Sequence, residues 1–97
     1  MPLTRTTHAA VDAFEEFSFP MLDGDNVVRI DVPRRLLEDI DRSLRRTPAG
    51  YLAALEEHRS RIEQIASAKY DEGDYLRYAN SSVVPIKQTD WTRHHSP

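Results

Sequence analysis

Histidine and arginine are the residue types in this chain that could bind a ligand or respond to pH. His58 falls between Leu55 and Ile62 on the apolar face of a predicted helix, so we expect its imidazole to be partly buried. Such a histidine is usually a core or interface group with one hydrogen-bond partner, and the alternative is a pH-sensitive interface or a ligand site. His58 is therefore the candidate buried or pH-sensitive residue.

Arginines concentrate on a second predicted helix, residues 34–46, which reads RRLLEDIDRSLRR. On a helical wheel Arg35, Arg42 and Arg46 fall within about 40° of one another. Arginine forks bind phosphate, so this stripe could contact nucleic acid, although three acidic residues in the segment offset part of its charge. On the longer helix Arg59 borders the apolar face, where it could pair with a carboxylate or bind an anion. The candidate interaction surface is Arg35, Arg42, Arg46 and Arg59.

No catalytic or metal-binding pattern is visible among the other polar residues. No serine lies in a sequence motif typical of a Ser-His-acid site, and the three glycines do not form a phosphate-binding loop. The absence of cysteine excludes thiolate chemistry. His8 is isolated, and His94 and His95 have no ligand at helical i+3 or i+4 spacing. We therefore expect no enzymatic activity, no metal and no cofactor.

Length and composition indicate one ordinary soluble domain. The chain has 97 residues, of which 39% are hydrophobic and 30% charged, and its net charge of −3 gives no global electrostatic footprint for nucleic acid. We expect one domain over 1–97, with an ordered core at about 14–91 and flexible tails at 1–9 and 92–97. No apolar stretch approaches a membrane span or a secretory signal, so a cytoplasmic location is the default expectation.

The longest helical pattern runs from Thr47 to Gly73. Thr47 is a favourable N-cap, Pro48 suits the first helical position, and Gly73 can close the helix in the left-handed conformation. One face of this helix is apolar and should lie on a sheet. Lys69 falls on that face, and we expect its stem to cover apolar surface while its ammonium reaches water.

The remaining segments predict a small sheet and a second helix. FSFPML and VVRIDV flank Asp23-Gly24, which indicates a β-hairpin, and VVPIKQTDW predicts a last strand. Pro20 and Pro85 cannot donate to a ladder, so both of their strands are expected at edges or bulges. Pro33 opens the second helix, and only Arg45 to Pro48 would separate it from the long one, which predicts an αα-hairpin. Residues 10–17 fit either a short helical turn or the lead into a strand.

Four motifs in this order resemble a family of small bacterial proteins, the domain-of-unknown-function family 1488, over about residues 17–91. They are the Asp23-Gly24 turn; Val32 with Leu37, Glu38, Asp39 and Ile40; His58, Arg59, Ile62, Ala66, Tyr70 and Gly73; and the closing VPIKQTDW with Asp90 and Trp91. The family usually begins its first helix with Ser and places Glu in the first turn, where this chain has Pro33 and Arg35. The resemblance implies a compact α+β fold and no activity, cofactor or catalytic residue.

Together these observations predict an α+β domain in two layers, a small antiparallel sheet of hairpin plus C-terminal strand packed on an αα-hairpin. The expected core residues are Val28, Ile30, Leu37, Ile40, Leu55, Ile62, Ile65 and Ile86. The leading functional hypothesis is a small non-enzymatic protein-interaction or accessory protein, for which a homodimer is one form, because small domains commonly dimerise to bury leftover surface. The alternatives are a nucleic-acid-linked regulator that uses helix 34–46 and, less favoured, a small enzyme.

Overall fold

The structure is a computed structural model that describes residues 3–6, 10–13, 16–78 and 81–95. The α+β class predicted from the sequence is confirmed. In chain order the elements are β1 (Thr4–Arg5), β2 (Val11–Ala13), β3 (Glu16–Asp23), β4 (Asn26–Pro33), α1 (Arg34–Ile40), α2 (Pro48–Asp71), β5 (Leu76–Tyr78), β6 (Ser81–Pro85) and α3 (Gln88–His95). In the segment 10–17 the strand alternative is the one observed, as β2 and the start of β3.

The predicted hairpin is the centre of the sheet. Strands β3 and β4 pair in antiparallel register from Asp23 opposite Asn26 to Glu16 opposite Pro33. Gly24 has φ of 61°, the left-handed conformation that a tight Asp-Gly turn requires. Strand β6 joins the sheet beside the hairpin, as predicted, in the order β1-β3-β4-β6-β5, with β2 also paired to β3.

One pair in this sheet is parallel, where the sequence predicts an antiparallel sheet throughout. Strands β4 and β6 run in the same direction, with Ile30 opposite Val84. The helices α1 and α2 separate these strands in the chain, and the short strand β5 reverses the chain just before β6. The chain therefore re-enters the sheet by a helical crossover, which is the connection that parallel neighbours require.

The two strand prolines are accommodated differently. Pro20 lies opposite Arg29 inside the sheet, so the edge position predicted for its strand is wrong. On the edge of β3 that faces away from β4, the neighbours are the two short strands β1 and β2, which pair with β3 on either side of Pro20. Between them the hydroxyl of Thr6 donates a hydrogen bond to the Pro20 carbonyl at 2.9 Å. Pro85 lies beyond Val83, the last residue of β6 that pairs with β5. No strand on that side therefore needs a hydrogen bond from its missing N–H.

The first helix is shorter than predicted and ends at Ile40 instead of Arg46. Asp41 leaves the helical conformation, with φ of −137° and ψ of 91°. Its carboxylate accepts hydrogen bonds from the backbone N–H and the hydroxyl of Ser43, at 3.1 and 2.7 Å. Aspartate side chains that bond to the backbone two residues on favour turns over helix. The connection to α2 is therefore 41–47.

The long helix α2 begins and ends as predicted. The Thr47 hydroxyl accepts a hydrogen bond from the Gly50 N–H at 3.1 Å, and Gly73 has φ of 80°. The face of α2 toward the sheet is buried, and it packs with the inner side chains of β3, β4 and β6. Of the eight predicted core residues, seven are buried and Ile40 is partly buried.

Lys69 is a correction to the sequence analysis, because its ammonium does not reach water. The residue is only 2% exposed. Its Nζ donates to a carboxylate oxygen of Asp90 at 2.5 Å and to the Pro85 carbonyl at 2.6 Å, and Asp74 lies at 3.7 Å. The pair joins the last turn of α2 to the start of α3.

Some described residues near both ends of the chain belong to elements of the fold. Thr4 and Arg5 pair with β3, and Leu3 is buried. Residues 92–95 belong to α3, whose start is fixed by a hydrogen bond of 2.9 Å from the Lys87 N–H to Asp90. His8 lies outside the described residues, as do the side chains of His94 and His95. Within the described ranges, none of the helices combines the length and apolar character needed to traverse a bilayer.

Candidate functional site

The helices pack on one face of the sheet, and the exposed hydrophobic side chains of the described strands lie on the other. Successive side chains of a strand point to opposite faces. Phe19 and Ile30 face each other on the inner side, toward α2, so Pro20 and Arg29 belong to the outer side. The same alternation, carried across the paired strands, shows which residues of the neighbouring strands also lie on the outer side.

Apolar side chains dominate this outer side. One row across the sheet places Pro20, Arg29, Val83 and Leu76 next to one another, and a second row includes Leu22, Val27 and Tyr78. We call the outward residues the outer sheet face: Thr4, Val11, Ser18, Pro20, Leu22, Val27, Arg29, Asp31, Leu76, Tyr78, Ser81, Val83 and Pro85. The large hydrophobic residues that are exposed in the described part of the chain all belong to it, namely Val11 at 58%, Val27 at 58%, Leu76 at 51% and Tyr78 at 56%.

A charged pair lies within the outer sheet face. Arg29 donates through Nε and a terminal nitrogen to the two carboxylate oxygens of Asp31, at 2.9 and 3.1 Å. The hydrogen bond to Asp31 is the main reason why the pKa of Arg29 lies above its usual value. Asp31 is buried whereas Arg29 is exposed, so the arginine side chain is the part of this pair that a partner molecule would meet.

A tyrosine-lined cleft adjoins the same face at the hairpin turn. Tyr70 and Tyr75 stack with ring centroids 4.6 Å apart, and the Tyr70 hydroxyl donates to a carboxylate oxygen of Asp23 at 2.5 Å. The cleft has a volume of about 750 Å³, and Arg29, Arg77 and Tyr78 also line it. These tyrosines thus line the cleft, and Tyr70 also bonds to the hairpin turn.

The tyrosine–aspartate bond predicts a measurable titration. The hydrogen bond to Asp23, with burial and the charge of Asp23 adding to it, raises the pKa of Tyr70 to about 12. Because the folded pKa is raised, this contribution to stability is present below the unfolded tyrosine pKa of about 10 and is lost as pH rises through the folded value. Asp23→Asn should lower the pKa of Tyr70 toward 10, as followed by phenolate absorbance. Tyr70→Phe identifies the band, and an unchanged band in Asp23→Asn would contradict the assignment.

His58 lies at a separate pocket between α2, α1 and α3. It is half-buried, in agreement with the sequence, and its ring meets the Trp91 ring edge-on with centroids 5.8 Å apart. The pocket has a volume of about 430 Å³ and is lined by Leu36, Asp39, Ile40, His58, Arg61, Gln88, Trp91 and Thr92. A pH-sensitive role for His58 stays a prediction.

The structure also places three potential metal ligands together beside this pocket. One ligand atom from each of Asp41, Glu57 and His58 lies within 4.8 Å of the other two. Asp41 comes from the connection after α1, and the other two residues are neighbours on α2. The sequence gives no sign of this cluster, because Asp41 is predicted to lie inside a longer helix.

The arginines do not lie on the single helix that the sequence predicts. Because α1 ends at Ile40, Arg42 and Arg46 lie in the connection and share no helical face with Arg35, so the predicted helix 34–46 is not continuous. Contact of these arginines with nucleic acid stays a prediction. Arg59 is only 4% exposed and is not a surface group. Its guanidinium bonds to Glu56 and Glu63 at 3.0 and 3.2 Å and lies 4.5 Å from the centre of the Phe19 ring, so carboxylate pairing is the alternative observed.

In a comparison with known protein families, residues 5–78 match the family described as protein of unknown function DUF1488. The chain belongs to the DUF1488 family. The expected resemblance is thereby confirmed. Searches of the curated proteins and of the solved structures found no match.

Several residues that suggested DUF1488 from the sequence hold the fold together. The Tyr51 hydroxyl donates to Glu38 at 2.5 Å and so joins α2 to α1, and this bond is the main reason why the pKa of Tyr51 is raised. Tyr70 bonds to Asp23 at the hairpin turn. At the first helix, where the family usually has Ser, Pro33 provides no side-chain cap. Three of the motif residues, Asp23, Glu38 and Tyr70, therefore have a structural role in this chain.

The residues of the outer sheet face were not singled out as candidates from the sequence. Leu76 and Tyr78 stand in DYLRYANSS, which reads as a polar stretch. The available signal is the alternation of Leu76, Arg77 and Tyr78, which is that of a three-residue strand. Such a strand is too short to identify without the sheet that contains it.

Proposed function

We propose that this DUF1488 protein is a non-enzymatic interaction module that binds a second copy of its own chain through the outer sheet face. The observation that supports this most is the gathering of the exposed large hydrophobic residues on one face. Isolated exposed hydrophobic residues are normal on a protein surface, whereas a contiguous group indicates an interaction site. The face opposite to it is already covered by α2.

The size of the face determines how much of it a dimer interface would use. Five strands lie side by side at about 4.8 Å spacing, and the two central strands have eight residues each. These dimensions give a face of roughly 20 by 27 Å, on the order of 500 Å² before side-chain relief is added. Stable interfaces bury about 800 Å² per partner, so the outer sheet face would have to be used almost entirely.

The charges of the face are compatible with a second copy as the occupant. In a two-fold dimer the same face of both copies forms the interface, so every contact between two residues occurs twice, once in each direction. Arg29, the exposed charge of the face, is paired in its own chain with the buried Asp31. The face therefore brings no unpaired charge against itself when two copies meet, which permits self-association.

A charge added to the outer sheet face tests this proposal. Leu76→Arg should convert a dimer of twice 11.2 kDa to a monomer, because a buried guanidinium without a partner opposes association. The matched control is Gln64→Arg, which adds the same charge at an exposed position of α2 and should leave the mass unchanged. Light scattering over a concentration series measures both.

Each outcome of this comparison is informative. A dimer that persists in Leu76→Arg, or that dissociates equally in Gln64→Arg, would contradict the assignment to this face. A wild-type protein that is monomeric at all concentrations would contradict self-association. Circular dichroism of each variant establishes that the fold is retained, since Leu76 is half exposed and its side chain is not part of the core.

A further inference from the structure

Two carboxylates and one imidazole converge where the connection after α1 meets the middle of α2. The ligand atoms of Asp41, Glu57 and His58 all lie within 4.8 Å of one another. Adjacent residues of a helix project about 100° apart and do not normally face each other. Here the third group comes from another element, and Asp41 can therefore complete a set with both of its neighbours on α2.

The local fold holds two of these groups in place. Ser43 donates two hydrogen bonds to Oδ1 of Asp41, which orients the carboxylate and leaves its other oxygen for a ligand. The edge-on contact with Trp91 restricts the ring of His58. Partners of this kind, one step removed from the metal, fix the orientation of ligands in known metal sites. Glu57 is exposed and can adjust its rotamer.

We propose that Asp41, Glu57 and His58 bind a divalent first-row transition-metal ion, with Zn²⁺ as the representative. Zinc takes histidine nitrogen and carboxylate oxygen at about 2.0–2.2 Å, so ligand atoms of one ion lie up to about 4 Å apart. The three ligand atoms lie within 4.8 Å of one another, which is close to that spacing. The imidazole selects against Mg²⁺ and Ca²⁺, which take oxygen ligands. Two carboxylates and a neutral imidazole balance the charge of a divalent cation.

The location gives the bound ion a mechanical consequence. Asp41 is the first residue after α1, and Glu57 and His58 lie in the middle of α2, so one ion would connect the two helices. The ion would also sit beside the pocket that contains Arg61 and Trp91, with coordination positions open to water or to a small anion. This proposal is independent of the dimer, because the outer sheet face lies on the other side of the sheet from α2.

Zinc titration of the untagged full-length protein by calorimetry tests the site. The wild type should bind one Zn²⁺ per chain. Loss of a residue that only supports a metal ligand typically weakens metal affinity about 10–100-fold, so loss of a ligand itself in His58→Gln or Glu57→Gln should weaken it by at least that much. Ser43→Ala, which removes only one support of Asp41, should weaken binding less than either. Millimolar Mg²⁺ should not compete.

The other histidines supply the matched control. A variant with His8, His94 and His95 all replaced by Gln should bind Zn²⁺ with wild-type affinity. Loss of binding in that variant, with binding retained in His58→Gln, would place the metal elsewhere and overturn the proposal, as would a wild type without binding. Because Glu57 is exposed, Glu57→Gln should fold normally and still report on the site if His58→Gln proves unstable.

Discussion

Replacement of Asp90 by alanine is expected to lower the free energy of unfolding by about 3–5 kcal/mol, the usual effect of removing one partner of a buried ion pair. Asp90 accepts a hydrogen bond of 2.5 Å from the ammonium of Lys69, which is 2% exposed. The variant leaves that ammonium buried with the Pro85 carbonyl and the more distant Asp74. Denaturant unfolding followed by circular dichroism measures the change.

Two further variants separate charge from helix capping. Asp90→Asn retains an acceptor for the Lys87 N–H but removes the negative charge, so it should lose less stability than alanine. Lys69→Met combined with Asp90→Asn removes both charges and should recover much of the loss, because a buried pair often contributes little net stability over apolar groups. A change below about 0.5 kcal/mol in Asp90→Ala, the range of ordinary surface substitutions, would show that the pair is not buried in solution.

The same pair predicts the acid limb of stability. Burial by itself raises the pKa of Asp90, but the hydrogen bonds from Lys69 and the Lys87 N–H, with the charges of both lysines, outweigh it and hold that pKa below its usual value. Because the folded pKa is depressed, the stabilisation is fully present above the unfolded value of about 3.9 and is lost as pH falls through the folded one. Asp90→Asn should therefore flatten the dependence of unfolding free energy on pH in that range.

Truncation of the buried face of α2 is expected to have an effect of similar size. Leu55→Ala and Ile62→Ala should each cost about 2–5 kcal/mol, because both side chains are fully buried against the sheet and their removal leaves a cavity. Gln64→Ala, on the exposed side of the same helix, should change stability by no more than about 0.5 kcal/mol. Small losses in both core variants, or a large loss in the control, would mean that the helix presents another face to the sheet.

The parts of the fold that the sequence predicts well are those fixed by neighbouring residues. The hairpin follows from the Asp23-Gly24 turn and from strands that alternate on either side of it. Helix α2 follows from the cap at Thr47, the apolar spacing and Gly73. Each of these signals acts within a few residues, so no knowledge of the remaining chain is needed.

The errors arise where a distant or competing contact decides the structure. Asp41 continues a helical pattern in sequence, yet its carboxylate bonds to Ser43 and ends the helix. Lys69 was expected in water because its partner Asp90 is 21 residues away and is brought close only by the turn into α3. The direction of β6 likewise depends on the crossover that precedes it.

The candidate sites are harder to predict than the fold, because both depend on tertiary placement. Val27 alternates with buried neighbours, but only the position of α2 decides which side of the sheet stays uncovered. Leu76 and Tyr78 join that side through a strand of three residues. The convergence of Asp41 with His58 requires the early end of α1. Sequence patterns along the chain do not reveal these contacts, because each of them joins elements that are distant in sequence.

Thiol protection tests the central claim most directly, because the chain contains no cysteine and a single one can be introduced cleanly. Val27→Cys places a near-isosteric probe on the outer sheet face, and Gln64→Cys places one on the solvent side of α2. If the face binds a second copy, the labelling rate of Val27→Cys will fall as protein concentration rises while that of Gln64→Cys stays constant. A constant rate for Val27→Cys across the series, or protection of Gln64→Cys instead, would contradict the account.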